Sequence, residues 1–77
     1  MLSERIVSDP TICGGKPVIK GSRVMVRSVL AQLREGQSFH TILQEYPGIQ
    51  VEDIQACIDL AVEALDDLRF FTPKPAV

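Results

Sequence analysis

The sequence is poor in the residues that usually anchor a core or build a covalent framework. It has no tryptophan, one tyrosine, three phenylalanines and two cysteines among 77 residues. A chain of this length has room for one domain and buries only about 60% of the surface that its unfolded form exposes. Because 45% of the residues are hydrophobic but few are aromatic, we expect a small globular domain with an aliphatic core and marginal stability.

Two cysteines are too few for a disulfide framework, and their separation matches no metal-binding spacing. We predict reduced thiols, with Cys57 as a small buried residue of a helix. A reactive thiol at Cys13 is the less favoured alternative, since reactivity requires an exposed, electropositive setting. The sequence therefore predicts no metal and no cofactor.

Long hydrophobic runs are also absent. No apolar stretch approaches the roughly 20 residues that a membrane span requires. The N-terminus carries acidic residues and lacks the basic start and continuous apolar stretch of a signal peptide. We therefore expect a cytoplasmic protein that does not contact membranes.

Three amphipathic segments predict helices. The first runs from about Met25 to Glu35 and ends at Gly36, where a C-terminal cap belongs. The second begins after the N-cap Ser38 and stops at Pro47. The third, over residues 51–70, is the longest, and its core stripe is predicted to contain Ile54, Cys57, Ile58, Ala61, Leu65 and Leu68.

Two short β-favouring runs, "RIVS" and "PVIK", precede the helices and are separated by turn signals. The predicted fold is mainly α, with a three-helix helix-turn-helix core preceded by a short N-terminal β-ribbon or arm. One domain spans residues 1–69, with the arm over 1–24 and the helical core over 25–69. Residues 70–77 contain two prolines and are predicted to be a flexible tail.

The third helix has more apolar surface than one core requires. Additional apolar residues widen its apolar arc to about 200°, whereas a stripe of roughly 100° covers a single core. We predict that the excess is buried in a homodimer or against a partner protein; the alternative is that it stays partly hydrated. The predicted interface residues are Leu60, Val62, Ala64, Phe70 and Phe71.

The glycine-rich stretch "CGGKPVIKGSRVMV" invites comparison with a phosphate-binding loop. A P-loop needs Ser or Thr after its lysine and leads from a strand into a helix. Here Lys16 is followed by Pro17, and an extended run follows. We therefore interpret the glycines of this stretch as turn residues, which adopt a positive φ at no steric cost.

No catalytic set is visible. His40 is the one histidine, and local spacing places no Ser, Cys or Asp partner beside it. The carboxylates of the third helix fall on its polar arc, which is usually a hydrated face. The sequence predicts no catalytic residues and hence no enzyme.

Charge is divided between the two halves of the chain. Residues 1–34 carry six bases against two acids, a net of +4, whereas residues 35–68 carry eight acids and no base. DNA would repel the acidic third helix, which is the one a helix-turn-helix places in the major groove. Contact with DNA is therefore predicted to involve Lys16, Lys20, Arg23, Arg27 and Arg34. Ordinary hydrated charges are the alternative.

The segments "IVSDP", "GGKPVIKGSRVMV", "SFHTILQEYP" and "EDIQA", in this order from Ile6 to Ala64, resemble the bacterial family catalogued as domain of unknown function 433. The resemblance implies a homeodomain-like or winged-helix-like three-helix core preceded by short strands. Its members are regarded as antitoxins paired with PIN-like ribonuclease toxins, and they supply no catalytic residues. One departure is Gln50, a weaker helix cap than the usual Ser or Thr.

The resemblance and the charge division together predict an antitoxin of a type II toxin-antitoxin pair. It would bind a PIN-like toxin and, as a dimer, its own promoter DNA. The alternative is a homodimeric structural or interaction module that binds no DNA, which the acidic third helix favours.

Overall fold

The computed structural model describes residues 4–68, so the predicted interface residues Phe70 and Phe71 lie outside the described residues. The chain forms two short strands and then three helices: β1 (Ile6–Val7), β2 (Val18–Ile19), α1 (Val26–Arg34), α2 (Phe39–Glu45) and α3 (Val51–Asp67). The strands form a two-stranded antiparallel sheet. The predicted mainly helical fold with an N-terminal ribbon is confirmed.

The ribbon is part of the hydrophobic core. Ile6 pairs with Ile19, and both side chains are buried against the helices. On its other edge β2 approaches the segment before α1, through an antiparallel bridge between Val18 and Met25. Since an isolated two-stranded ribbon is barely stable in water, this packing explains why the ribbon forms.

The loop between the strands begins with a turn fixed by Asp9. Its carboxylate accepts hydrogen bonds from the Thr11 hydroxyl at 2.7 Å and the Thr11 backbone N–H at 2.9 Å. These two bonds, the hydroxyl first, lower the pKa of Asp9 below its usual value. The Asp-Pro turn signal of the sequence therefore marks a real turn.

A second, left-handed turn follows over Cys13–Gly15. All three residues have positive φ, 50° at Cys13, 67° at Gly14 and 87° at Gly15. The turn leads into strand β2 rather than into a helix, so the stretch lacks the strand-to-helix geometry that P-loops use. The interpretation of these glycines as turn residues is confirmed.

Gly21 occupies a tight turn after β2, in which the Ser22 backbone N–H donates to the Ile19 carbonyl at 3.0 Å. Its φ is 80°, and an added Cβ would meet no atom of the described chain within 4 Å. We therefore expect Gly21→Val to lower the free energy of unfolding by about 1–2 kcal/mol through backbone strain alone. Urea titration measures this. Gly21→Asn is the control and should cost less, because Asn tolerates positive φ; equal losses in the two variants would contradict the strain argument.

Local capping residues fix the ends of α1 and α2. After α1, Gly36 adopts a φ of 87°, and the Gln37 N–H donates to the Gln32 carbonyl at 3.0 Å, as in a Schellman motif. The Ser38 hydroxyl accepts a hydrogen bond from the Thr41 N–H at 3.1 Å, which caps α2. Both helices lie within one residue of the predicted boundaries.

Asp53 completes a capping box with Gln50 at the start of α3. The Asp53 carboxylate accepts the Gln50 backbone N–H at 2.7 Å. Its other oxygen accepts from Arg5 Nη1 at 2.9 Å, which joins the N-terminal arm to the helix. The weak cap at Gln50 is therefore compensated by an acidic residue three positions later.

The buried residues of α3 all lie in its first half. They are Asp53, Ile54, Ala56 and Cys57. The prediction that Leu65 and Leu68 belong to the core is wrong, since they are 56% and 55% exposed. The reason is length: α1 and α2 have 9 and 7 residues and α3 has 17, so at 1.5 Å per residue α3 extends past the elements that cover it.

Candidate functional site

The distal half of α3, residues 58–67, and its C-cap Leu68 present two opposite faces. Five apolar residues share one face, which we call the apolar stripe: Ile58, Ala61, Val62, Leu65 and Leu68. Five exposed carboxylates lie along the other side of α3, and we call them the acidic face: Glu52, Asp59, Glu63, Asp66 and Asp67. At 100° per residue, each acid of the distal half lies about 100° or more from the centre of the stripe.

The predicted interface residues on α3 divide into two groups. Leu60 is half-buried and packs against the core of its own chain, so it is not a free surface. Val62 is 52% exposed and Ala64 is also exposed. The structure adds Leu65 and Leu68 to the exposed set, which sequence reasoning had assigned to the core.

A groove of about 560 Å³ separates the start of the N-terminal arm from α3. Its lining contains three carboxylates, those of Glu4, Glu52 and Asp59, and one base, Arg5. Gln55 and Ala56 complete the lining. The acidic face therefore continues around the first half of α3 onto the arm. This surface is suited to a basic partner rather than to an anionic one.

The predicted DNA-contacting residues lie on different elements of the fold. Arg27 and Arg34 line a common groove of about 280 Å³ on α1, together with Leu30 and Ala31. Arg23 lines a different cleft, against the ribbon. Lys16 follows the left-handed turn and Lys20 lies in the turn after β2, both exposed.

The α1 groove is basic but has acidic neighbours. Arg34 lies 3.7 Å from Glu35, and both side chains are largely exposed, so this ion pair contributes little. On its other side Arg27 lines a second groove, of about 510 Å³, with Glu35 and Glu45. The bases of α1 therefore face a mixed field rather than a uniformly positive surface.

His40 is exposed on α2. Between residues 4 and 68, no three His, Cys, Asp or Glu side chains are arranged to hold a metal ion. Within the same residues, no helix is long and apolar enough to cross a membrane.

Both cysteines are unbridged, and Cys57 is completely buried in α3. Its burial, with a smaller contribution from the charge of Asp53, raises the pKa of the Cys57 thiol from 9.0 to about 11. The thiol is therefore protonated at neutral pH and shielded from reagents. This agrees with the predicted structural role of Cys57.

The raised pKa of Cys57 predicts a loss of stability at alkaline pH. Below pH 9 the thiol is protonated in both the folded and the unfolded chain. Between pH 9 and about 11 the unfolded chain loses this proton first, so the free energy of unfolding falls by up to about 1.4 kcal/mol per pH unit. Urea titrations from pH 8 to 11 measure this slope, and Cys57→Ala should reduce it; an identical slope in the variant would contradict the prediction.

A short two-stranded ribbon followed by three helices, with a charge-divided surface, defines a small, mainly helical protein. The chain belongs to the family described as "Protein of unknown function (DUF433)", whose profile matches residues 6–61. The family resemblance of the sequence is thereby confirmed.

Two relatives support the assignment. The protein named "Uncharacterized protein y4eO" from Sinorhizobium fredii (strain NBRC 101917 / NGR234) is 38% identical over 52 residues, which are 68% of this chain and 24% of that protein. The crystal structure of a DUF433 member protein from Anabaena variabilis ATCC 29413 has a TM-score of 0.76 and 26% identity, covering 83% of this chain and 63% of that one. The chain thus spans about a quarter of the curated relative and less than two thirds of the solved one.

Proposed function

We propose that this DUF433 protein is an antitoxin of a type II toxin-antitoxin pair, whose acidic face binds a basic PIN-like ribonuclease. The observation that carries the proposal is the row of exposed carboxylates along α3, in a region, residues 35–68, that contains no lysine or arginine. A ribonuclease needs a positive surface for its polyanionic substrate. A helix with one uniformly negative face complements such a surface.

DNA would bind this chain at a different surface from the toxin. In a helix-turn-helix the final helix enters the major groove, but here the final helix carries the acidic face. The groove that contains Arg27 and Arg34 is the best placed surface for phosphate contacts. Toxin and promoter DNA would then occupy different faces, and neither role requires catalysis by this chain.

A second candidate function is an interaction module that binds no DNA. The specific observation in its favour is that Glu35 and Glu45 line the groove beside Arg27. Gln32 also donates a hydrogen bond to Glu45 at 3.0 Å, which holds that carboxylate on this side of α1. Under this alternative the acidic face still binds a protein partner.

Co-expression with an adjacently encoded PIN-like ribonuclease tests the antitoxin proposal. Because Asp59→Asn with Glu63→Gln keeps the side-chain shapes and removes two charges, we expect it to weaken toxin capture about tenfold. Glu35→Gln with Glu45→Gln is the matched control, since it changes net charge equally away from the acidic face, and it should capture toxin normally. Affinity is measured at two salt concentrations; failure of the wild-type chain to capture the toxin, or equal effects of both pairs, would refute the proposal.

A further inference from the structure

The apolar stripe has the spacing of a helix-pairing seam. Ile58, Ala61, Leu65 and Leu68 recur at intervals of three, four and three residues, as a and d positions do in a coiled coil. Val62, Leu65 and Leu68 are each more than half exposed, although Val and Leu are usually buried. These three residues therefore form an apolar surface that the described part of their own chain leaves uncovered, whereas Ile58, at the start of the stripe, packs against the core.

Charge placement indicates what kind of helix fits the stripe. In paired helices the residues beside the seam, at e and g, select the partner by their charges. Here these positions are Val62 and Ala64, which carry none. The distal carboxylates, Asp59, Glu63, Asp66 and Asp67, fall at outward positions of the heptad, so two identical helices can meet without opposing like charges.

We propose that a second copy of this chain covers the apolar stripe, so that the distal halves of two α3 helices pair in a homodimer. A partner selected by charge would be directed to the acidic face instead, on the opposite side of the helix. Dimerisation and capture of a basic protein would thus use different faces of the same helix. The inference does not depend on the antitoxin proposal.

Two measurements on the full chain test the dimer directly. Sedimentation equilibrium between about 1 and 100 μM should give a dimer mass, and the melting temperature should rise with protein concentration, because association stabilises the folded chain by mass action. A monomer mass at 100 μM, with a melting temperature independent of concentration, would overturn the proposal. If that monomer also needed Leu65 and Leu68 to capture a toxin, the stripe would belong to the protein partner.

Substitutions then locate the interface. Leu65→Glu with Leu68→Glu should weaken dimerisation at least about 100-fold by placing charges in an apolar seam. Both positions are exposed, so circular dichroism should show a retained fold. Val51→Glu is the control: Val51 is 39% exposed at the other end of α3, and the dimer should survive the change. A leucine double variant that remains fully dimeric would overturn the proposal; Leu60 is avoided because it packs on its own core.

Discussion

Asp53→Ala is expected to lower the free energy of unfolding by about 2–3 kcal/mol. Asp53 is 7% exposed and has two structural roles, as the acceptor for the Gln50 backbone N–H and as the ion-pair partner of Arg5. Alanine removes both roles at once. Because 1 kcal/mol corresponds to about 4–8 °C in a domain of this size, the melting temperature should fall by about 8–24 °C.

Two further substitutions separate the roles of Asp53. Asp53→Asn keeps an oxygen that can accept the Gln50 N–H but loses the ionic partner of Arg5. Arg5→Gln leaves the cap intact, and it should cost less than about 1 kcal/mol, since the Arg5 side chain is 43% exposed. Thermal and urea unfolding rank the three variants by the free energy of unfolding that each one loses. A loss below about 0.5 kcal/mol in Asp53→Ala would mean that neither the cap nor the Arg5 ion pair contributes measurably to stability.

The parts of the fold that sequence reasoning predicted depend on local signals. Gly36 ends α1, Ser38 caps α2, and the turn signals divide the ribbon, each through contacts within a few residues. Such contacts are determined by the identity and spacing of neighbouring residues, so the predicted boundaries of α1 and α2 agree closely with the structure. The Arg5–Asp53 contact spans 48 residues, and no local pattern indicated it. The one available signal was an acid three residues after the weak cap Gln50.

The candidate site, too, could be predicted only in part from local sequence patterns. Helical periodicity correctly placed the apolar and acidic residues of α3 on different faces. It could not show how far along α3 the other elements reach, and so it assigned Leu65 and Leu68 to a core that ends before them. Similarly, charge counting found the basic half of the chain, but it could not show that Arg23 lines a different cleft from Arg27 and Arg34. Both the end of the core along α3 and the grouping of the basic residues depend on how the elements pack in three dimensions.

The second large effect is expected on DNA binding. If the proposed regulator role holds, Arg27→Glu with Arg34→Glu should abolish retardation of the DNA upstream of the gene at about 0.1 M salt. The two arginines share one groove on α1, so both can approach phosphates of one duplex. Each phosphate contact contributes about 0.9 to the slope of log affinity against log salt, so milder Arg→Gln changes should lower that slope by up to about 2.

The acidic face supplies the matched comparison for this experiment. Asp59→Asn with Glu63→Gln removes two negative charges that repel DNA, so it should leave retardation equal or stronger, although it weakens toxin capture. Opposite responses of the two assays to one double variant would assign the acidic face to protein and the α1 groove to DNA. If the wild-type chain, alone and with its toxin, retards no promoter DNA at low salt, the regulator role is wrong. The interaction module that binds no DNA then replaces it, because toxin capture through the acidic face does not depend on Arg27 or Arg34.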